Sequence, residues 1–374
     1  AAFGRAGYKN FFRLLDELGI KTRASAGGFI SVHDLNSNHG FYVTPSPRGL
    51  LAQRLALLRP SRLLTLWRLS RGIAKARRIQ AHGGFGELTM REGLLLVPQL
   101  TGDAETLLLC ALCLLSSMSG DEVLDAPASF FFEKLDVHHD VISPRSVYSV
   151  RTIPGGTQTY VNALARAFDD RIALNARIRS IDRGEGDGAA GDDGIRIVFE
   201  DGGEQRFDKL VLACNPDQAL ELLAAPTPLE RELLSAWRYK DGPLVLHRDY
   251  SAFPKPELMQ AFTFLYRREN GGLETSVNGS LRFLAGVPRD CDLIGSQHPN
   301  FAIRKDLTEF ETVFRTPIFD FRSCATVPRL SELNGTLNTY YCGSYFGHGL
   351  HEDAVSSALA VARDVGAEPS MPSQ

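Results

Sequence analysis

Gly343, Gly347 and Gly349 stand between a short apolar run, Tyr340-Tyr341-Cys342, and an acidic helix start, His351-Glu352-Asp353, with Ser344, Tyr345 and Phe346 in the turn. Glycines in such a turn let the backbone approach a ligand without a Cβ in the way. The N–H groups and dipole of the following helix start suit an anion such as a phosphate. Ala354, Ser357, Ala358 and Ala362 give that helix a thin face for close packing. The same residues also serve a purely structural strand-turn-helix, in which the glycines answer only to the turn. Both readings stand on the local residues.

Other candidates are weaker. Cys110-x-x-Cys113 has the spacing of a redox or metal pair, but Ala111 and Leu112 lie between the thiols inside a run of leucines, and no second Cys or His pair accompanies them. Core packing explains them better. His138 and His139 lack a nearby carboxylate pattern, so no metal site is assigned. Pro154-Gly155-Gly156 reads as a turn that opens a helix.

These residues need elements to hold them. Apolar spacing predicts a helix over 8–18 with Gly19 as its stop. Strands are expected over 29–33 and 41–43, around the polar turn 34–40. Pro60 should divide the following region into two helices. A helix over 102–118 capped near Thr101 or Asp103, and an amphipathic segment over 129–140, complete the first part. A helix over 160–168 precedes strands at 172–174 and 175–181 and an exposed Gly/Asp-rich loop over 184–194. A hairpin of 195–199 and 205–207 then leads to 210–214, an apolar run expected to be buried on both faces. Helices over 219–223 and 228–237 and antiparallel strands at 244–247, 262–265 and 281–283 follow, and the segment 315–319 then precedes the final strand and the glycine-rich ending. The tail 368–374 should fray.

With 374 residues, 44% hydrophobic and 23% charged, the chain has ordinary globular composition and enough length for two domains. Its net charge of -3 argues against a nucleic-acid partner. Six cysteines, mostly in apolar runs, fit reduced thiols in a cytosol. No signal peptide is visible, and the longest apolar run, 107–115, is too short to span a bilayer. No acidic residue occurs between Asp34 and Glu87, where Arg48, Arg54, Arg59, Arg62, Arg68, Arg71, Lys75, Arg77 and Arg78 alternate with leucines and Trp67. Helices over 48–78 could lie on an anionic membrane surface. A solvated basic face over buried leucines is the simpler account.

A helix-opening Gly-Gly, a meander, a buried Leu-Val-Leu-Ala strand, a substrate sheet and a final glycine-rich strand-helix follow one another here. That order resembles the flavin-containing amine oxidase and phytoene desaturase superfamily, and within it the bacterial NAD/FAD-binding, amine-oxidase-like proteins. Residues 342–353 are similar to that group's cysteine-glycine, aromatic, Gly-x-Gly, His-Glu-Asp ending, and 212–220, 16–20 and 152–160 fit as well. The resemblance implies a mixed α/β, two-domain FAD-binding fold, with an incomplete Rossmann-like sheet beside an antiparallel-sheet and helical substrate domain. It distributes the chain as a substrate and helical region 1–150 with remnants of the FAD domain, FAD-domain part 151–216, substrate domain 217–334 and FAD-binding strand-loop-helix 335–367. It implies FAD contacts at Gly343, Ser344, Tyr345, Phe346, Gly347, Gly349, His351, Glu352 and Asp353. Ala213 and Cys214 would close the returning strand, Ile178 would touch the adenine end, and Gly155 and Gly156 would lie near the flavin.

The family's Gly-x-Gly-x-x-Gly turn after a first strand is not found in the sequence, since Phe3-Gly4-Arg5-Ala6-Gly7 lacks both the strand and the spacing. The expectation is a segment lacking the first βαβ unit. The implied activity is hydride transfer from an apolar or lipid-like small molecule to FAD, in a cytoplasmic or membrane-peripheral protein. The rival is an inactive homologue serving as a binding or membrane-surface module. No general base is evident. His247, His348 and His351 are the titratable residues to test.

Overall fold

The computed structural model describes residues 2–24, 30–37, 40–43, 58–138, 150–184, 194–253, 259–288 and 293–367. Phe29, Arg48, Arg54, His139, Cys291, the loop 185–193, the tail and any helix preceding Pro60 lie outside these. The chain is a mixed α/β protein of two compact units, Ala1–Leu164 with Lys240–Thr316, and Ala165–Tyr239 with Pro317–Gln374.

The first unit is built on a seven-stranded sheet. Its order is Thr308–Ile318, Arg238–His247, Ile294–Gln297, Gly272–Ser280, Phe262–Glu269, Ile30–Asp34, Gly40–Val43. Phe262–Glu269 and Ile30–Asp34 run parallel, with Phe264 opposite Val32. The neighbouring Gly272–Ser280 pairs antiparallel through Phe264 and Val277. A helix apolar all round must be buried all round, and Asp103–Ser116 obeys: Leu108, Leu109, Cys110, Ala111, Leu112 and Cys113 are fully buried. Gly102 caps it with a positive φ of 59° and no side chain serves, so neither Thr101 nor Asp103 is its cap. Thr89 with Glu92 and Ser119 with Glu122 form capping boxes at Met90–Leu95 and Gly120–Asp125.

Pro60 sits in the first turn of Pro60–Ala81, as its fixed φ and missing N–H allow. Lys9–Glu17 ends at Gly19, whose φ is +66°. The expected strand at 281–283 is instead a short helix, Leu281–Leu284. The sheet register ends at Ser280 opposite Ile294, and the Ala285 N–H turns back to Leu281 O at 2.7 Å.

In the second unit, Ile178–Arg183, Ile195–Phe199 and Glu204–Phe207 form an antiparallel meander. Residues 172–174 are not a strand. A 3-10 turn, Asp169–Arg171, precedes them, and Asn175 and Arg177 hold left-handed φ values that break extension. Leu210–Leu212 pairs in parallel with Thr339–Tyr341, Val211 opposite Tyr340. Leu210 and Leu212 are buried, but Val211 is 46% exposed, so the strand is fully buried on one face and only partly on the other. Side chains alternate across a strand, and on the Val211 side its neighbour Tyr340 is buried against Cys342 and Val361, so that face is only partly covered at Val211.

Candidate active site

The two parallel strands end side by side, which is where open α/β sheets bind ligands. The Cys342 N–H donates to Leu212 O at 3.2 Å, setting Cys342-Gly343 alongside Ala213-Cys214. Ala213 is exposed and Cys214 half-buried, while Cys342 is buried. Burial raises both thiols above their ordinary range.

Ser357, on the helix His351–Asp364, fixes the loop from below. Its hydroxyl accepts from Gly343 N–H at 3.0 Å and lies 3.1 Å from Gly343 O and 3.0 Å from Ala354 O. The helix start is capped from within, because Asp353 accepts from Leu350 N–H at 2.9 Å. Ser344–Phe346 form one 3-10 turn, and Gly349 N–H returns to Ser344 O at 3.0 Å. His351 is half-buried, and burial lowers its pKa, which favours the neutral ring.

The chain's own side chains account for the glycines. A Cβ on Gly347 would sit 2.2 Å from Asp353 Oδ1, one on Gly349 2.4 Å from Phe319 Cζ, and one on Gly343 2.6 Å from the Tyr345 ring. Gly349 also has a φ of +82°, which L side chains rarely adopt. Tyr345 packs edge-on to Trp237 at 5.7 Å, and Trp237 does the same to Phe319 at 5.9 Å. The Trp237 indole N–H donates to Thr326 Oγ1 at 3.0 Å, whereas the Tyr345 hydroxyl, in a side chain only 3% exposed, has no hydrogen-bond partner among the described residues. A buried hydroxyl without a partner costs free energy, and a polar atom of a bound cofactor is one way to satisfy it. With accessible strand ends beside it, the residue set fits a planar polar cofactor.

The strand Thr339–Tyr341 is anchored by Arg183 and Glu230, whose side chains are each 2% exposed. Tyr341 donates to Glu230 Oε1 at 2.5 Å, and Arg183 Nη2 donates to Glu230 Oε2 at 2.8 Å. Burial would raise the Glu230 carboxyl, but the bonds from Arg183 and Tyr341 hold it down to about 2. Burial and Glu230 push the Tyr341 hydroxyl far above its usual range. Sequence reading missed this triad because its members are far apart in the chain. Ser357 had a signal, since it lies on the thin helix face.

Ile178 begins the meander opposite Phe199, with a bulge between it and Ser180. Gly155 and Gly156, both at positive φ, belong to the first unit, where they turn into the helix Gln158–Ala165. His247, also in that unit, is fully buried. Asp249 N–H donates to its Nδ1 at 3.1 Å, and its Nε2 lies 2.7 Å from Ser296 Oγ, which donates to Asn278 Oδ1 at 2.6 Å. The bonds fix a neutral ring protonated at Nε2, and burial lowers its pKa. This is a satisfied core histidine. A cavity of about 340 Å³ in the same unit is lined by Leu94, Leu100 and Leu124, with Arg91 paired to Asp125 and Arg268 to Glu105 at its rim. No group of three or more potential metal ligands occurs among the described residues.

The family model for flavin containing amine oxidoreductases matches residues 2–245, more than half of the chain. No curated protein matches the sequence. Three solved structures share the fold. A putrescine oxidase double mutant has TM-score 0.63 at 11% identity, covering 97% of this chain and 86% of its own. The CLA-producing fatty acid isomerase from P. acnes has TM-score 0.62 at 14% identity, with 98% and 86% covered. Cyclohexylamine oxidase from Brevibacterium oxydans has TM-score 0.61 at 12% identity, with 98% and 87% covered.

Proposed function

We propose that this chain, which belongs to the flavin-containing amine oxidoreductases and has FAD as its cofactor, is an oxidoreductase for an apolar, lipid-like substrate. The observation carrying the cofactor assignment to particular residues is the meeting of Ala213-Cys214 with Cys342-Gly343 at the carboxyl ends of two parallel strands. Gly343 and Ser344 would present backbone to the flavin, the Tyr345 hydroxyl would find its missing partner there, and the Asp353–Leu350 cap would hold the helix start in place. When bound, FAD supplies the hydride acceptor. The chain contributes orientation, a largely apolar wall at Tyr345 and Trp237, and a neutral His351 beside the loop.

Leucine- and phenylalanine-rich helices support an apolar substrate, and one relative of the same fold is a fatty acid isomerase. The two amine oxidases among the relatives make a small amine the competing class. A second reading, a flavin-free binding module, is favoured by one observation: Gly343, Gly347 and Gly349 are closely approached by Tyr345, Asp353 and Phe319 of the chain itself.

Titration of the purified chain with FAD, read by flavin absorbance and quenching of flavin fluorescence, separates the readings. Saturable binding weakened by Tyr345→Phe and by Cys214→Trp is expected. A protein that stays colourless and leaves flavin fluorescence unchanged sinks the flavoenzyme reading. Anaerobic bleaching of the bound flavin by long-chain acids or alcohols, and not by amines, is the expected substrate result. Bleaching by amines alone overturns it.

A further inference from the structure

The helix Pro60–Ala81 carries two stripes at i+3/i+4 spacing. Thr65, Leu69, Gly72 and Ala76 are buried, with Gly72 admitting Leu100 closely. On the opposite side, Leu63, Trp67, Arg71 and Arg78 are exposed, with the partly buried Ala74 completing the same spacing. Leu63, Leu64 and the preceding Leu58 are about half exposed, and Trp67 is 56% exposed. An ordinary solvated helix face does not place a tryptophan and two leucines at i+3/i+4 spacing in water. Arg62 pairs with Asp103 and Arg77 with Asp136. Arg68, Arg71, Lys75 and Arg78 have no carboxylate partner among the described residues.

We propose that the Leu63–Trp67–Arg71–Arg78 face of this helix is a docking surface for a bilayer containing anionic lipid. The charge pattern selects the occupant. The apolar residues cluster toward the start of the helix, and the cations without a carboxylate partner among the described residues border and follow them. Leucine and tryptophan can therefore enter the headgroup region while the arginine heads stay at phosphate level. At 22 residues the helix lies about 33 Å along a surface. No described helix is long and apolar enough to cross a membrane, so this contact is peripheral.

The test is co-sedimentation of the purified chain with phosphatidylcholine vesicles, with and without phosphatidylglycerol, while tryptophan emission is followed. Trp237 is buried, so a blue shift on binding reports Trp67. Binding only to the phosphatidylglycerol vesicles, weakened by salt, is expected. Joint Arg68→Glu, Arg71→Glu and Arg78→Glu substitution should lower partitioning by at least about tenfold. Leu63→Ser with Trp67→Ser should also weaken it, with circular dichroism unchanged because these side chains face solvent. Should a variant misfold, the salt titration and emission shift of the parent chain decide. Failure to partition into either vesicle overturns the proposal. So does undiminished binding by the charge-reversed chain. Two further results overturn it: a free chain in which iodide cannot reach Trp67 because residues 44–57 cover it, or a dimer that dissociates on Trp67→Ser.

Discussion

The Tyr341 hydroxyl and the Glu230 carboxylate, 111 residues apart, meet at 2.5 Å inside the second unit, one residue before the strand gives way to Cys342 and the glycine-rich loop. Through Arg183 the same carboxylate reaches the meander. The loop therefore hangs from a buried ionic joint. Glu230→Gln should cost about 3–5 kcal/mol in denaturant unfolding, because it leaves the Arg183 cation buried and unpaired. Tyr341→Phe should cost about 1.5–3 kcal/mol. The carboxyl is held below its ordinary value, so its contribution is complete above pH 4.5 and is lost as pH falls toward about 2. Tyr341→Phe should move that acid transition upward. An acid melt indifferent to the substitution would contradict the joint.

Gly349→Ala meets both a positive φ and Phe319, and should destabilise the protein by more than about 1 kcal/mol. Ser357→Ala leaves Gly343 N–H without its acceptor and should cost about 1–3 kcal/mol. Thermal melts read both effects. FAD titration of the Ser357→Ala protein should show weaker binding even where most of the chain remains folded.

His247 gives a second pH signature. Its folded pKa lies below the ordinary 6.5, so the folded and unfolded states are both unprotonated above that value. Below it the unfolded chain takes a proton that the folded chain refuses, and stability falls. His298 and His351 are shifted the same way, so the measurement is a difference. Unfolding of His247→Asn should lose less stability between neutral pH and pH 5 than the parent chain does.

Burial raises the Cys113 thiol to about 12 and the Cys110 thiol well above its usual range. Neither should react with Ellman's reagent at pH 8 in the folded protein, and both should react in denaturant. Labelling of the folded pair would restore the redox reading of the Cys-x-x-Cys spacing.

Local physics made much of this legible from residues alone. The 3.6-residue rhythm of 8–18, the stop at Gly19, the turn at 201–203 and the apolar run of the Asp103–Ser116 helix all declare themselves in sequence. What failed depended on neighbours. Residues 281–283 read as a strand until the sheet runs out of partner at Ile294. Val211 read as buried on apolarity alone, and its exposure is decided by what packs on the parallel pair. At the site, glycine spacing located the loop. It could not reveal that Asp353, Phe319 and Tyr345 occupy the space the glycines open, nor that the Tyr345 hydroxyl finds no partner among the described residues.

The parallel pairing of Leu210–Leu212 with Thr339–Tyr341 also governs when the site can exist. On the ribosome the first strand is made while residues 213–338 are still to come, an interval of roughly 6–25 s at ordinary synthesis rates. Throughout it the edge that will carry Cys214 has no mate, and Glu230 waits for Tyr341. The loop is thus assembled last, by capture of a late strand onto an early one. A nascent chain stalled before residue 339 would present an unpaired strand edge, which is a natural target for chaperone engagement or mispairing.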